Sequence, residues 1–206
     1  MGNLSDRELT SFLGMSDMPL AISSCLLGTP CRYDGQSKPC RLIQELAKTH
    51  PTVSVCPEVL GGLSTPRPPA GIMLLPDHGD FHTAESESAE TCQIASDIIC
   101  RRSADIPSVD LPLADVNAGT LVWRGRALLI NREGRDVTAE YKAGALKALE
   151  QAERAGVKLA ILKQHSPSCG CGSTGGAEPW QRLSGDGVTA ALFKMHGIAV
   201  ISDEDL

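Results

Sequence analysis

The sequence predicts an α/β protein with a mainly parallel sheet and helices on both faces. Short apolar runs rich in β-branched residues alternate along the chain with longer stretches of helical periodicity. Strands that alternate with helices favour a parallel sheet that is covered on both sides. With 206 residues, of which 42% are hydrophobic, the chain can bury a substantial core. We therefore expect residues 1–206 to form one domain, with a variable insertion at about residues 76–120.

The first part of the chain contains two predicted helices and two predicted strands. Residues 5–15 have the pattern of a short amphipathic helix, and residues 20–25 form an apolar run of strand length. Residues 40–49 space their apolar side chains like one buried helix face. Residues 52–56 are again apolar and β-branched, and Pro57 ends this second strand.

The second part of the chain continues the alternation after the insertion. Residues 126–130 and 158–162 are predicted strands, since both are apolar runs of strand length. Residues 136–155, between them, have strong helical propensity. Residues 188–196 form a further predicted helix, which follows a Gly-Asp-Gly sequence whose amides can bind an anion. Residues 198–201 are the last predicted strand.

Three cysteines lie in loops rich in Gly, Pro and Ser, at or after the ends of predicted strands. They are Cys25, Cys56 and Cys169. The carboxyl ends of parallel strands meet at one edge of the sheet, where α/β proteins bind ligands, so we expect the three thiols to lie together. Three thiol ligands would leave one position on a soft metal centre open to a substrate.

The cysteine content also bears on the compartment. The chain has eight cysteines and no visible secretory signal, so we expect a cytoplasmic protein with reduced thiols. Metal or catalytic roles are then favoured over disulfides, although any single free cysteine is commonly an inert core residue. The spacing matches neither a zinc finger nor a ferredoxin, so the prediction of a metal depends on the fold.

The remaining cysteines have simpler expected roles. Cys40, Cys92 and Cys100 are expected to pack in the interior. Cys31 and Cys171 each lie close to a proposed ligand, so either is a spare thiol or an alternative ligand.

Several polar residues accompany the three cysteines. Glu58 follows Cys56 by two positions and is a candidate for proton transfer, against the alternative of a capping or salt-bridged glutamate. Ser166 and Ser168 flank Pro167, so one of them is a candidate to hydrogen-bond a ligand while the other stabilises the turn. Candidates for binding a polar or anionic substrate are Arg32, Asp34, Arg67 and Lys163.

Composition and charge exclude several classes of partner. A net charge of −6 does not suit a protein that binds the phosphate backbone of nucleic acids. Only 3% of residues are aromatic, which argues against a platform that stacks the bases of single-stranded nucleic acid. No apolar run approaches the ~20 residues that a membrane span requires.

Taken together, the motifs resemble those of the thiouracil desulfurase (desulfidase) family. The resemblance extends over residues 20–70 and 126–201, most of the chain. Its motifs are ISSCLLG at 22–28, RYDG at 32–35, VCPEVLGGL at 55–63, PR at 66–67, SPSCG at 166–170 and GDGVTAA at 185–191.

The resemblance implies a Rossmann-like domain that carries a [4Fe-4S] cluster on Cys25, Cys56 and Cys169. The fourth iron is then free to bind the sulfur of a substrate. Glu58 is implied as the proton donor or water activator, and Ser166 as a hydrogen-bonding group. The implied reaction is hydrolytic removal of sulfur from a thiolated uracil base or nucleotide, with release of sulfide. The implied partner is this small molecule, with no nucleic-acid polymer and no membrane, and a homodimer is left open.

Two alternatives stay open at this point. One is a non-catalytic zinc or iron–sulfur module with a fourth ligand from Cys31 or Cys171, which predicts no turnover. The other is a thiol redox enzyme that uses Cys169 and Cys171, which predicts a depressed thiol pKa.

Overall fold

The computed structural model describes residues 17–75, 117–178 and 181–206, together with Gly14. The predicted helix at 5–15, the cysteines at 92 and 100, and all but the last residues of the insertion at 76–120 lie outside the described residues. Within the described ranges, no helix has both the length and the apolar character needed to cross a membrane.

The described residues form eight strands and five α-helices. The strands are β1 (Leu20–Ser23), β2 (Thr52–Val55), β3 (Ala70–Leu74), β4 (Ala127–Asn131), β5 (Leu159–Leu162), β6 (Ser173–Gly175), β7 (Arg182–Ser184) and β8 (Ala199–Ser202). The helices are α1 (Arg41–Thr49), α2 (Pro57–Leu60), α3 (Ala118–Trp123), α4 (Thr138–Arg154) and α5 (Val188–Met195).

A parallel sheet of four strands in the order β2-β1-β5-β8 lies at the centre of the fold. Successive side chains of a strand point to opposite faces of a sheet. Ala21 of β1 and Ala160 of β5 accordingly belong to the core cluster that contains α4 and α5. Ile22 and Ile161 belong to the opposite cluster, which contains Ile43 of α1. Helices therefore cover both faces, and the predicted α/β architecture is confirmed.

The strand order places a topological switch point between β1 and β5. The chain leaves β1 through α1 to reach β2 on one side, whereas β5 leads through α5 to β8 on the other side. Open α/β sheets bind ligands in the crevice outside the carboxyl ends of the strands at such a point. The loops after β1, β2 and β5, which carry the three predicted cysteine ligands, begin at this crevice.

The structure corrects two predicted strands. The strand predicted at 20–25 ends at Ser23, and Ser24–Leu27 form a 3-10 helix. Gly28, with φ of 107°, closes that turn because its amide donates back to the carbonyls of Cys25 and Ser24. The strand predicted at 126–130 is present as β4, but it pairs antiparallel with β3 in a separate sheet.

The helix predicted at 40–49 is present as α1, but its buried apolar face includes fewer residues than the sequence predicted. Ile43 is fully buried, whereas Leu42 is 49% exposed. Only one side of α1 contacts the sheet, so adjacent apolar residues cannot both be buried there.

Two glycines bring α4 close to α2 and so fix the segment that carries Cys56 and Glu58. A Cβ added at Gly144 would lie 1.7 Å from the carbonyl oxygen of Pro57. A Cβ added at Gly61 would lie 2.0 Å from the carbonyl oxygen of Glu140. Side chains at these positions would push the helices apart, so the short α2 depends on glycine for its place.

Candidate functional site

A cavity of about 400 Å³ lies at the carboxyl ends of β1, β2 and β5. Every predicted site residue except Asp34 lines it. The lining includes the three predicted cysteine ligands, both predicted catalytic residues and the three cations predicted to bind substrate, namely Cys25, Cys56, Cys169, Glu58, Ser166, Arg32, Arg67 and Lys163. The fold thus gathers residues that are up to 144 positions apart in the sequence.

Each predicted cysteine ligand reaches the cavity from a different loop. Cys25 lies in the 3-10 turn after β1. Cys56 is the N-cap residue of α2, directly after β2. Cys169 lies in the loop after β5, and its thiol, like that of Cys25, is nearly inaccessible to solvent. All six cysteines in the described ranges are free thiols.

Cys31 adds a fourth thiol to this cavity. It is 7% exposed, the same fraction as Cys25. Its side chain contacts both the Cys25 and the Cys56 thiols, and the Cys25 thiol contributes most to raising the pKa of Cys31 to about 11. The sequence left the role of Cys31 open. The sequence signal that could have placed Cys31 beside Cys25 is their spacing of six residues across a turn that Gly28 closes.

The sequence also left the role of Cys171 undecided. In the structure its thiol contacts groups that do not line the cavity. Its thiol donates to the carbonyl of Val200 at 3.4 Å, and Lys194 Nζ lies 3.5 Å from its sulfur. It is absent from the cavity lining.

The thiol pKa values disfavour the alternative of a thiol redox enzyme. Burial raises the pKa of Cys169 to about 12 and also raises the pKa of Cys171. Reactive redox thiols need the opposite shift, because the thiolate is the nucleophile. The depressed thiol pKa that this alternative predicted is therefore contradicted.

The carboxylate of Glu58 is held in a buried ion pair with Arg67. Arg67 Nε donates to Glu58 Oε2 at 2.7 Å, and a terminal nitrogen of the guanidinium pairs with the same oxygen. The other donors of the Arg67 guanidinium bind the carbonyl of Cys31 at 3.0 Å and two groups of the loop at residues 64–65. Arg67 was predicted to bind substrate. In the structure its guanidinium orients Glu58 and joins two loops of the site, and Arg67 also lines the cavity.

We expect the Arg67→Gln substitution to lower the free energy of unfolding by about 3–5 kcal/mol, because it leaves the carboxylate of Glu58 buried without its charge partner. The side chains of Arg67 and Glu58 are only 6% and 13% exposed. Urea unfolding of the metal-free protein measures the change. Arg154→Gln is the matched control, since its exposed pair with Glu150 should contribute less than about 1 kcal/mol. Equal effects of the two substitutions would contradict a structural role for the buried pair.

Ser166 links the carboxylate to the loop that carries Cys169. Its hydroxyl donates to Glu58 Oε1 at 3.4 Å. The Ser166 Oγ in turn accepts from the backbone amides of Ser168 and Cys169 at 3.1 and 3.3 Å. The Ser166 side chain therefore stabilises the turn of this loop and also faces the cavity, so it is placed for both roles.

Tyr141 of α4 also lines the cavity and was not identified from the sequence. It is 2% exposed. Burial, and then the neighbouring carboxylate of Glu58, raises the pKa of Tyr141 well above its usual value, so the phenol is neutral and available as a hydrogen-bond donor. A tyrosine in the first turn of a long amphipathic helix gives no sequence signal that separates this position from core packing.

The N-terminus of α5 anchors the loop that carries Cys169. The amides of Val188 and Thr189 donate to the carbonyls of Pro167 and Ser168 at 3.0 and 2.8 Å. The buried hydroxyls of Ser168 and Thr189 also hydrogen-bond at 2.8 Å. These amides were expected to be available to an anion. The loop carbonyls occupy them instead.

The other polar residues predicted to bind substrate are already paired. Lys163 Nζ contacts both carboxylate oxygens of Asp203, at 2.9 and 2.7 Å. Arg32 pairs with Asp34, which lies outside the cavity lining and accepts from the amide of Gln36. Substrate contact with Lys163 or Arg32 would therefore compete with an existing ion pair.

The donor set fits a cluster better than a single ion. In the described part of the chain, no group of three or more His, Cys, Asp or Glu side chains is arranged to hold one metal ion. An iron–sulfur cluster is bound by cysteine thiolates, each to its own iron, and therefore needs thiols around a space rather than converging on a point. Thiols that surround a cavity of about 400 Å³ meet this requirement.

Comparison with known proteins identifies the family of the chain. A model of the 2-thiouracil desulfurase family matches residues 20–111 and 104–205, which together cover most of the chain. The chain belongs to this family.

Two relatives extend over nearly the whole chain. The uncharacterized protein YbbK of Bacillus subtilis strain 168 is 33% identical over 188 residues, 91% of this chain and 97% of YbbK. A solved structure, described as the [4Fe-4S]-dependent thiouracil desulfidase TudS, is 31% identical and superimposes with a TM-score of 0.62. That match covers 92% of this chain and 93% of TudS.

Proposed function

We propose that this protein is a [4Fe-4S]-dependent desulfidase that removes sulfur hydrolytically from a thiolated uracil base or nucleotide and releases sulfide. The observation that carries the proposal is the meeting of Cys25, Cys56 and Cys169 with Glu58 and Ser166 around one cavity. Membership of the 2-thiouracil desulfurase family and the likeness to TudS support it.

Cys25, Cys56 and Cys169 would hold the cluster, each from a different loop of the switch-point crevice. A bound cluster with one iron not ligated by these three residues would supply a Lewis acid for the soft sulfur of a thiocarbonyl. Because Cys25 and Cys169 are buried and Cys56 is partly buried, the site around them is poorly solvated, and a polar substrate there interacts strongly with its partners.

Glu58 is proposed to move the protons of the hydrolysis. Its Oε1 accepts a hydrogen bond from Ser166, and its Oε2 accepts one from Arg67. The carboxylate therefore has a fixed orientation. It would take a proton from the attacking water and return one to the departing sulfur. Water supplies the oxygen of the uracil product, and sulfur leaves as hydrosulfide. The reaction needs no net electron transfer and hence no reductant.

Ser166 and Tyr141 are proposed to assist as neutral hydrogen-bond donors. The Ser166 hydroxyl lies next to Glu58, and the buried phenol of Tyr141 contacts the same carboxylate. Donors fixed in this way can stabilise charge that develops on a ring oxygen or nitrogen without reorganisation.

One observation favours a second candidate, the non-catalytic metal module. Cys31 supplies a fourth thiol at the cavity, which a fully ligated cluster would use. This candidate predicts a stable iron–sulfur protein that turns over no thiolated base.

Anaerobic reconstitution with iron and sulfide, followed by metal analysis and an assay for sulfide release, separates the two candidates. The desulfidase is expected to bind about four irons per chain and to release sulfide from thiouracil derivatives over many turnovers. A full cluster without turnover would favour the non-catalytic module. A protein that stays colourless would contradict the desulfidase and an iron–sulfur module, and would leave only the zinc form of the non-catalytic module.

Three cations that pair with no side chain in the described part of the chain bear on whether the substrate carries an anionic group. Lys38, Arg132 and Arg182 line the cavity. Among the described residues, their side chains take part in none of the ion pairs or hydrogen bonds of the structure. Cations without partners at a cavity wall suit an anionic group such as the phosphate of a nucleotide.

We expect Arg132→Gln and Arg182→Gln each to raise the KM for a thiolated uridine monophosphate by about tenfold, the usual contribution of a charge-assisted hydrogen bond. The KM for the free thiouracil base should not change. Arg124→Gln is the control, because Arg124 is exposed and lies outside the cavity lining. Parallel changes for base and nucleotide would contradict a phosphate-binding role.

A further inference from the structure

We propose that Cys31 is a displaceable fourth ligand, which binds the remaining iron of the cluster in the resting enzyme and yields it to the sulfur of the substrate. This inference rests on the proposed function and extends it, because Cys25, Cys56 and Cys169 account for only three irons. A displaceable Cys31 would explain why the cavity contains four thiols although catalysis needs a coordination site on one iron that the substrate can occupy.

The first argument is the position of the Cys31 thiol. It contacts the thiols of Cys25 and Cys56, which come from two different loops, and it lines the same cavity. Cys31 belongs to the apolar cluster that contains Leu26 and Ile43, but core packing alone would not bring its thiol into contact with two other thiols. Here the nearest side-chain partners are two proposed ligands, so any cluster they bind lies within reach of a fourth sulfur.

The second argument is that the backbone of Cys31 is held in place. Its amide donates to the carbonyl of Thr29 at 2.9 Å. Its carbonyl accepts from Arg67 at 3.0 Å and lies 3.7 Å from the Cys56 sulfur. Arg67 also orients Glu58, so one guanidinium fixes both the fourth thiol and the proposed proton-transfer group.

The third argument is that the other spare cysteine cannot take this role. Cys171 follows Cys169 by two residues, but its thiol donates a hydrogen bond to the carbonyl of Val200 and lies outside the cavity lining.

Exchange of one sulfur ligand for another at the iron changes no oxidation state. The Cys31 thiolate would leave the iron and take up a proton from solvent, and the sulfur of the thiocarbonyl would take its place.

The test follows loss of the fourth iron from the reconstituted holoenzyme. An iron without a protein ligand is the one that a cubane cluster gives up on mild oxidation. We expect ferricyanide to convert Cys31→Ala to the three-iron form about tenfold faster than the wild type, the effect of losing a tethered ligand with a high effective concentration. Electron paramagnetic resonance of the three-iron form measures the rate, and Cys171→Ala is the matched control, expected to behave like the wild type.

Two outcomes would overturn the inference. Equal rates for Cys31→Ala and wild type would show that Cys31 does not bind the fourth iron. A Cys31→Ala protein that cannot assemble a four-iron cluster at all would make Cys31 an obligatory ligand rather than a displaceable one. Failure of the proposed function is distinguishable, since it would appear in the wild type as absence of a cluster or of sulfide release.

Discussion

The Glu58→Gln variant is expected to lose about 100- to 10,000-fold in kcat while it keeps its full content of iron and sulfide, because the carboxylate is placed to move protons rather than to bind metal. The amide oxygen of glutamine can still accept from the Arg67 guanidinium, so the loops that Arg67 joins should stay in place. Iron and sulfide analysis measures the cluster, and sulfide release from a thiouracil measures kcat.

Glu150→Gln is the matched control for this variant. Glu150 lies on α4 in an exposed ion pair with Arg154, away from the cavity, so its loss should leave kcat unchanged. Normal turnover by Glu58→Gln would remove Glu58 from the mechanism. Loss of the cluster together with activity would instead make Glu58 a determinant of assembly.

Replacement of a cluster ligand is expected to have the second large effect. Cys25→Ala, Cys56→Ala and Cys169→Ala should each fail to retain a full cluster after anaerobic reconstitution, because an iron would lose its protein thiolate. Activity should fall in step with cluster content. Absorbance of the cluster and iron per chain are the measurements.

Cys171→Ala is the control for these three variants. Its thiol is half-buried and comes from the same loop as Cys169, yet it bonds to Val200 rather than lining the cavity. The Cys171→Ala protein should therefore bind a full cluster. A full cluster in Cys25→Ala, or its loss in Cys171→Ala, would contradict the ligand set.

The parallel sheet could be predicted because its strands carry local signals. The runs that became β1, β2, β5 and β8 are apolar, of strand length, and end at Gly, Pro or charged residues. Their alternation with helices implied a parallel sheet, and a parallel sheet implied that residues after its strands share an edge. The expectation that Cys25, Cys56 and Cys169 lie around one space followed from this geometry.

The sequence could not reveal contacts that depend on pairing between distant segments. The partner of β4 is β3, across the insertion, and strand pairing of this kind has no local signature. The pairing of Arg67 with Glu58 is of the same type, because a loop arginine among prolines suits an anionic substrate as well as a carboxylate. The contact of Cys31 with Cys25 depends on the 3-10 turn that replaces the end of the predicted strand.

The release of sulfide and uracil from thiouracil by the anaerobically reconstituted wild-type protein tests the central claim most directly. We expect equal amounts of sulfide and uracil, many turnovers per chain, and no requirement for a reductant, since water replaces sulfur at the ring carbon. A protein that carries a full [4Fe-4S] cluster and yet releases no sulfide from either the base or the nucleotide would contradict the account.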